Sequence, residues 1–210
     1  MIRKKSFLFI LSILFVLGLS QAQEVLNYLE EGEKKFQEKD YSASIETYDQ
    51  ALADNAGDAR AYQYRGRSHR RMNNLAAAFD DYNNSLNLNY NNASAFIGRG
   101  LTFIKFGNFE AALQDLQVAL QINPGTTYLP DIYYNQAWMY QRLGQTDTAL
   151  IIYEKVLKAQ PNHEKAQVNH AFLLYQKDQV QEACAEWKKA ESQGNEIARR
   201  NREKACKCCL

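Results

Sequence analysis

The chain is 210 residues long and carries 25 Lys and Arg against 24 Asp and Glu, a formal net charge of +1. So even a balance gives no global electrostatic argument for nucleic acid or an anionic membrane surface as a partner.

Residues 1–22 read as a secretory signal peptide. Arg3, Lys4 and Lys5 precede an apolar run from Phe7 to Leu19, and Ser20-Gln21-Ala22 places small residues at −3 and −1 of a cut before Gln23. The run is about 13 residues, short of the roughly 20 that span a bilayer. No cysteine lies near the cut, so a lipoprotein anchor is not indicated. Cleavage removes three basic residues and no acidic one, taking the net charge from +1 to −2. The expectation is an exported protein, periplasmic, cell-surface or secreted; an uncleaved anchor is the alternative.

From Val25 a 34-residue unit recurs five times, at 25–58, 59–92, 93–126, 130–163 and 164–197, with a three-residue insertion, Thr127-Tyr128-Leu129, before the fourth copy. The third copy shows the pattern best. Phe96, Gly100 and Phe103 form one helical stripe, and Ala112, Leu116, Ala119 and Leu120 form a second. Gly107-Asn108 breaks the run between them, and Pro124 stops the second helix because it cannot donate to the ladder. Each unit is a helix pair too small to bury its own core, so it needs stacked neighbours. The first copy keeps Tyr28, Gly32, Tyr48 and Ala51 at the matching places, and the second Tyr62, Gly66, Ala78 and Tyr82. The fourth keeps Tyr133, Ala137, Tyr140, Gly144, Ala149, Tyr153 and Pro161. In the fifth, Gln167 replaces the first aromatic, while Ala171, Ala183, Trp187 and Ala190 persist. Ser44 and Ser85 stand where the pattern has Ala.

These residues resemble the tetratricopeptide repeat over Val25 to Ile197. The resemblance implies an all-α, right-handed superhelical solenoid of five helix-turn-helix repeats in a domain spanning 23–197. Residues 198–210 should then form a C-terminal capping helix, begun near Glu196, and a Cys-rich tail. One departure recurs. Position 7 of each repeat, usually Leu in the family, is Glu31, Arg65, Arg99, Gln136 and His170. Such chains are expected to snorkel out of the helix pair.

The resemblance also implies that positions 2, 5, 9, 12 and 13 of the first helices line a concave, partner-binding groove. Repeat one offers Leu26, Leu29, Glu33 and Phe36; repeat two offers Arg60, Gln63, Arg67, Arg70 and Arg71. Repeat three adds Ile97, Leu101, Ile104 and Lys105, repeat four Tyr134, Trp138 and Arg142, and repeat five Val168, Phe172 and Tyr175. Tyr, Trp and Arg are the side chains that most often anchor interfaces. One reading is an extended peptide whose carboxylates meet Arg60, Arg67 and Arg70. The other is that the apolar members close the superhelix and the arginines pair with carboxylates such as Asp54 and Asp58. The Lys and Asn of a chaperone-tail clamp are absent from the matching positions.

All four cysteines lie in the last 27 residues. Cys184 occupies an apolar position on the second helix of repeat five, where a following helix docks, and Cys206 lies on that following helix. The expectation is a Cys184–Cys206 disulfide fastening a weak cap by closing a loop of about 23 residues, worth roughly 3 kcal/mol in the chain-entropy model. Four free thiols are the alternative, and Cys208 and Cys209 are left to stay free, pair or link two chains. His69 and His170 occupy packing positions and His163 a junction, without a nucleophile and acid to form a triad. No metal spacing, phosphate loop or dinucleotide fingerprint occurs, so no catalytic residue, metal or cofactor is expected. The expected function is a non-enzymatic adaptor holding a partner polypeptide in the groove, neither binding nucleic acid nor spanning a membrane once its leader is cut. A structural subunit that self-associates through the groove or through Cys208 and Cys209 is the alternative.

Overall fold

The computed structural model describes residues 22–206 apart from Pro124. The leader reading on 1–22 therefore falls almost wholly outside the described residues, as do Cys208 and Cys209. The described residues are helical, without a strand. Helix α1 spans 22–37. It is followed by α2 (Tyr41–Asp54), α3 (Ala59–Arg71), α4 (Leu75–Leu88), α5 (Ala93–Phe106) and α6 (Phe109–Ile122). A 3₁₀ turn, Thr126–Tyr128, leads to α7 (Leu129–Arg142), α8 (Thr146–Ala159), α9 (Glu164–Gln176), α10 (Val180–Ser192) and α11 (Glu196–Ala205). Odd-numbered helices up to α9 are the first helices of the repeats, and even-numbered ones are the second.

The turn inside each repeat follows one rule. Position 15 has positive φ in all five copies: Lys39 (64°), Asn73 (63°), Gly107 (77°), Gly144 (75°) and Asp178 (60°). Gly is the residue that takes this left-handed conformation without a Cβ penalty, and Asn and Asp tolerate it. The first helix of a repeat is capped from the last residue of the repeat before. The side chains of Asp58, Asn92 and His163 accept backbone N–H groups at the starts of α3, α5 and α9. These are donors that a helix end would otherwise leave unpaired.

The described residues form two compact units, 22–122 and 123–206. In the first, α1 to α6 pack around Tyr48 and Tyr82, exposed by 0% and 1%. Val25, Leu29, Ala51 and Ala61 surround Tyr48, and Ala78, Ala95, Phe96 and Ala119 share a cluster with Tyr82. In the second unit, Tyr153 packs with Ala137, Ala149, Val156 and Leu173, and Trp187 with Ala171, Ala183, Ala190 and Ala198. Burying side chains of this size stabilises by about 1.5–3 kcal/mol each. The serines that replace Ala are satisfied: Ser44 Oγ donates to Gly32 O at 2.9 Å and Ser85 Oγ to Ala59 O at 2.7 Å.

Except at Glu31, whose side chain is 54% exposed, position 7 corrects the snorkelling expectation. The Arg65 and Arg99 side chains turn inward and grip carboxylates sixteen residues on, at position 23 of the second helix of the same repeat. Arg65 donates to Asp81 at 2.6 and 3.0 Å, and Arg99 to Asp115 at 2.8 and 2.8 Å. His170 and Glu186 repeat the arrangement in the second unit, with Nδ1 2.8 Å from Oε2. The same arginines reach back to position 25 of the preceding repeat, Arg65 to Asp49 at 2.6 Å and Arg99 to Asn83 at 2.7 Å. The planar five-donor guanidinium makes this three-way tie available, and a nearby buried carboxylate makes it more favourable than reaching for water.

Candidate interaction surface

The first helices of the first unit bring aromatic and cationic groups together around Phe36. The Arg67 guanidinium lies 3.9 Å from the Phe36 ring centroid and 5.4 Å from that of Tyr64, and Arg71 lies 6.0 Å from Phe36. Arg67 is also ion-paired with Glu33. Burial pushes the phenol of Tyr48, close to this group, up to about 12. Arg60 is held by Asp58, which accepts from Nη2 at 2.7 Å and Nε at 3.2 Å while also capping α3. Two of the three arginines considered for a partner's carboxylates thus already hold carboxylates of this chain. Arg70 has a buried Nε without a hydrogen-bond partner, and Arg71 is exposed at the end of α3.

Other predicted groove residues divide by burial. Leu29 and Val168 are 5% and 7% exposed and belong to the cores, so these two correct the groove reading. The reason is register: each shares a buried cluster with the second helix of its own repeat, Leu29 with Tyr48 and Ala51, and Val168 with Ala183 and Trp187. Ile97 packs against the cluster around Tyr82, and Gln63, Leu101 and Ile104 are half-buried. Lys105 is exposed in the last turn of α5, where a cation complements the helix dipole.

In the second unit, α7 and α9 carry an aromatic surface. Trp138 is half-buried, and the Arg142 guanidinium lies 5.8 Å from its ring. Phe172 and Tyr175 are 38% and 39% exposed, and the Tyr175 ring lies 5.7 Å from that of Trp187. Tyr134 is more committed to the fold. It stacks on His163 with centroids 4.9 Å apart, and Asn169 Nδ2 donates to its hydroxyl at 3.5 Å and to Tyr153 Oη at 3.0 Å. Burial raises both phenols above their ordinary value, against the opposing hydrogen bond from Asn169. Tyr153 Oη donates onward to Gln141 Oε1 at 3.0 Å. Asn169 was missing from the sequence reading because only the fold brings it to both tyrosines.

Among the described residues, no group of three or more His, Cys, Asp and Glu side chains could hold a metal ion. No described helix is long and apolar enough to cross a membrane. Cys184 and Cys206 are 8% and 2% exposed, with Cα atoms 5.9 Å apart, a separation that a disulfide spans.

Two tetratricopeptide-repeat family profiles match the chain, one over residues 29–87 and 65–126 and the other over 130–163. No curated protein matches it. Among solved structures it is similar to the MamA protein, at 22% identity and a TM-score of 0.69, covering 87% of this chain and 96% of that one. It is similar to YrrB, described as a TPR protein with an unusual peptide-binding site, at 20% identity and a TM-score of 0.70, covering 90% and 97%. It is also similar to pilF of Pseudomonas aeruginosa, at 19% identity and a TM-score of 0.73, covering 84% and 78%. With its repeat spacing, its small and aromatic packing positions and these matches, the chain belongs to the tetratricopeptide-repeat proteins and has their all-α solenoid fold.

Proposed function

We propose that the protein is a non-enzymatic adaptor that holds an extended polypeptide segment against its first helices, in an exported compartment. The observation carrying the reading is that Phe172 and Tyr175 stand more than a third exposed on α9, in the unit whose α7 holds Arg142 over the Trp138 ring, although burial would stabilise them. Large, rigid aromatics held this way offer contact area at low entropic cost. Arg142, whose guanidinium lies 5.8 Å from the Trp138 ring, is the cation for an acidic group on the partner, since Arg60 and Arg67 of the first unit are already paired. The peptide-binding site described for YrrB gives the segment reading a precedent in the same fold. The leader-like residues 1–22 support the compartment: N-terminal sequencing of protein recovered from the cell envelope should begin at Gln23.

The test is affinity capture from native envelope extract, followed by titration of the purified partner against wild type, Trp138→Ala and Arg142→Glu. Trp138→Ala is expected to weaken binding at least tenfold, in line with loss of an aromatic anchor. The charge reversal should weaken it more at low salt than at high salt. Unchanged affinity in both variants, with folding intact by circular dichroism, removes the first-helix surface as the site.

A further inference from the structure

Helix α11 is poorly built to stay where it is. Of its ten residues, EIARRNREKA, only Ala198 is buried, and Ile197, its largest apolar side chain, is 60% exposed. A helix this short is marginal by itself in water. Its polar attachment to α10 is the Arg202–Glu191 pair, 2.6 and 3.3 Å apart, with side chains 22% and 26% exposed. A single ion pair near the surface is screened by salt and holds a whole helix only weakly. Yet α11 covers a demanding face: Cys184, Trp187 and Ala190 of α10 share one buried cluster with Ala198 and Cys206. Cys184 stands at position 21 of its repeat. Leu150 holds the same position in α8 and lies in one cluster with Ala166 and Leu173 of the following first helix. An apolar face made for a full first helix is thus closed by a polar helix with one small buried residue.

We propose that a Cys184–Cys206 disulfide is a redox latch on α11, so that reducing it releases this helix while leaving the two helices beneath it folded. Cys206 sits at the C-terminal cap of α11, where fraying of one turn suffices to admit a reductant, although both sulfurs belong to buried residues. The reductant is a dithiol. Its thiolate attacks one sulfur, the S–S bond breaks, and its second thiol resolves the mixed disulfide. Two electrons and two protons thereby pass to Cys184 and Cys206, and the dithiol leaves as its own disulfide. Release uncovers the α10 face around Trp187, converting a polar end of the repeat array into an apolar one. The inference does not depend on the first-helix surface, so the two readings succeed or fail separately.

The test uses the full-length chain carrying Cys208→Ser and Cys209→Ser, so that only the latch cysteines remain. Thiol counting and hydrogen-exchange mass spectrometry are run before and after dithiothreitol. Before reduction no free thiol is expected. After it, two are expected, with exchange at 196–205 about a hundredfold faster, as the chain-entropy model gives for a loop of this size. Helices α9 and α10 should keep their protection and Trp187 emission should shift to the red. Cys206→Ser should show the same state without reductant. Retained protection of α11 with both thiols counted overturns the latch. So do free thiols at the outset, or loss of protection across α9 and α10, which would make the bond a staple for the whole unit.

Discussion

At the scale of single residues, the ties at positions 7 and 23 trade solvent for charge pairing, and their worth depends on which partner is removed. The Asp115 side chain is 8% exposed and that of Arg99 22%. Replacing Arg99 by Leu leaves a nearly buried carboxylate without its cation and should destabilise the protein by about 3 kcal/mol. Replacing both Arg99 and Asp115 by Leu should restore stability to within about 1 kcal/mol of wild type, because no charge is then stranded. Urea unfolding of the three proteins decides it; a double variant as weak as the single one would mean that shape, not charge, holds this seam. Asp58 gives the pH counterpart. Burial pushes its carboxyl up, but the hydrogen bonds from the Arg60 side chain and from the backbone N–H groups of Arg60 and Ala61 outweigh it, so the folded-state value lies below the ordinary one. A depressed carboxyl contributes stability above its unfolded pKa of about 3.9 and loses it as pH falls through the lower folded value. Wild type should therefore lose more stability between pH 5 and pH 3 than Asp58→Asn, whose amide can still cap α3 but does not titrate. Thermal melts across that range check this, and parallel profiles would remove Asp58 as a contributor to acid sensitivity.

At the scale of helix pairs, spacing in the sequence carried much of the packing. Gly100, Ala112, Leu116 and Ala119 stand out by their 34-residue recurrence, and all four lie in the buried interior. What recurrence could not show was any contact specific to one pair of helices. Gly98 lies outside the recurring pattern, yet a Cβ there would meet the Tyr82 ring at 2.3 Å, so α5 can approach α4 only because the residue is Gly. At Gly100 the nearest atoms to an added Cβ are at 3.3 Å. Gly98→Ala should therefore cost about 2 kcal/mol through overpacking, whereas Gly100→Ala should fall within about 1 kcal/mol of wild type because helix propensity offsets the tighter contact. Comparable urea midpoints for the two variants would show that Tyr82 can move aside. The arginine surface shows the same limit in part. Arg60 pairs with Asp58, as one of the two sequence readings has it, but Glu33, the carboxylate on Arg67, comes from the neighbouring repeat, which residue type and register do not announce. The ties between positions 7 and 23 did leave a trace in the sequence, as the recurring pairs Arg65 and Asp81, Arg99 and Asp115, His170 and Glu186. A family pattern that expects Leu at position 7 obscured it.

At the scale of the molecule, the repeats fall into three and two, and the composition of repeat four marks the change. Its position 7 is Gln136 and its position 23 is Ile152, so the side-chain tie that recurs in repeats two, three and five has no counterpart there. The three-residue insertion falls at the same point. Asn123 and Gly125 have φ of +70° and +82°, and Tyr128 is 48% exposed in the short turn that follows. An exposed aromatic in such a connection is where a protease reaches backbone that no helix protects. Limited chymotrypsin digestion of a Tyr90→Ser variant, which lacks the 66%-exposed tyrosine of the α4–α5 turn, should thus cut first after Tyr128, ahead of tyrosines such as Tyr48, Tyr82 and Tyr153 that are at most 1% exposed. The N-terminal fragment keeps three complete repeats, Tyr48 and Tyr82 with their surrounding clusters, and the ties of Arg65 and Arg99. Repeat arrays gain stability as a sum of unit and neighbour terms, and about three units suffice for an independent fold. The isolated fragment should accordingly remain helical and melt cooperatively by circular dichroism. A first cut elsewhere, or a fragment that loses its helical signal once separated, would show that the division at residue 122 does not mark a unit of stability.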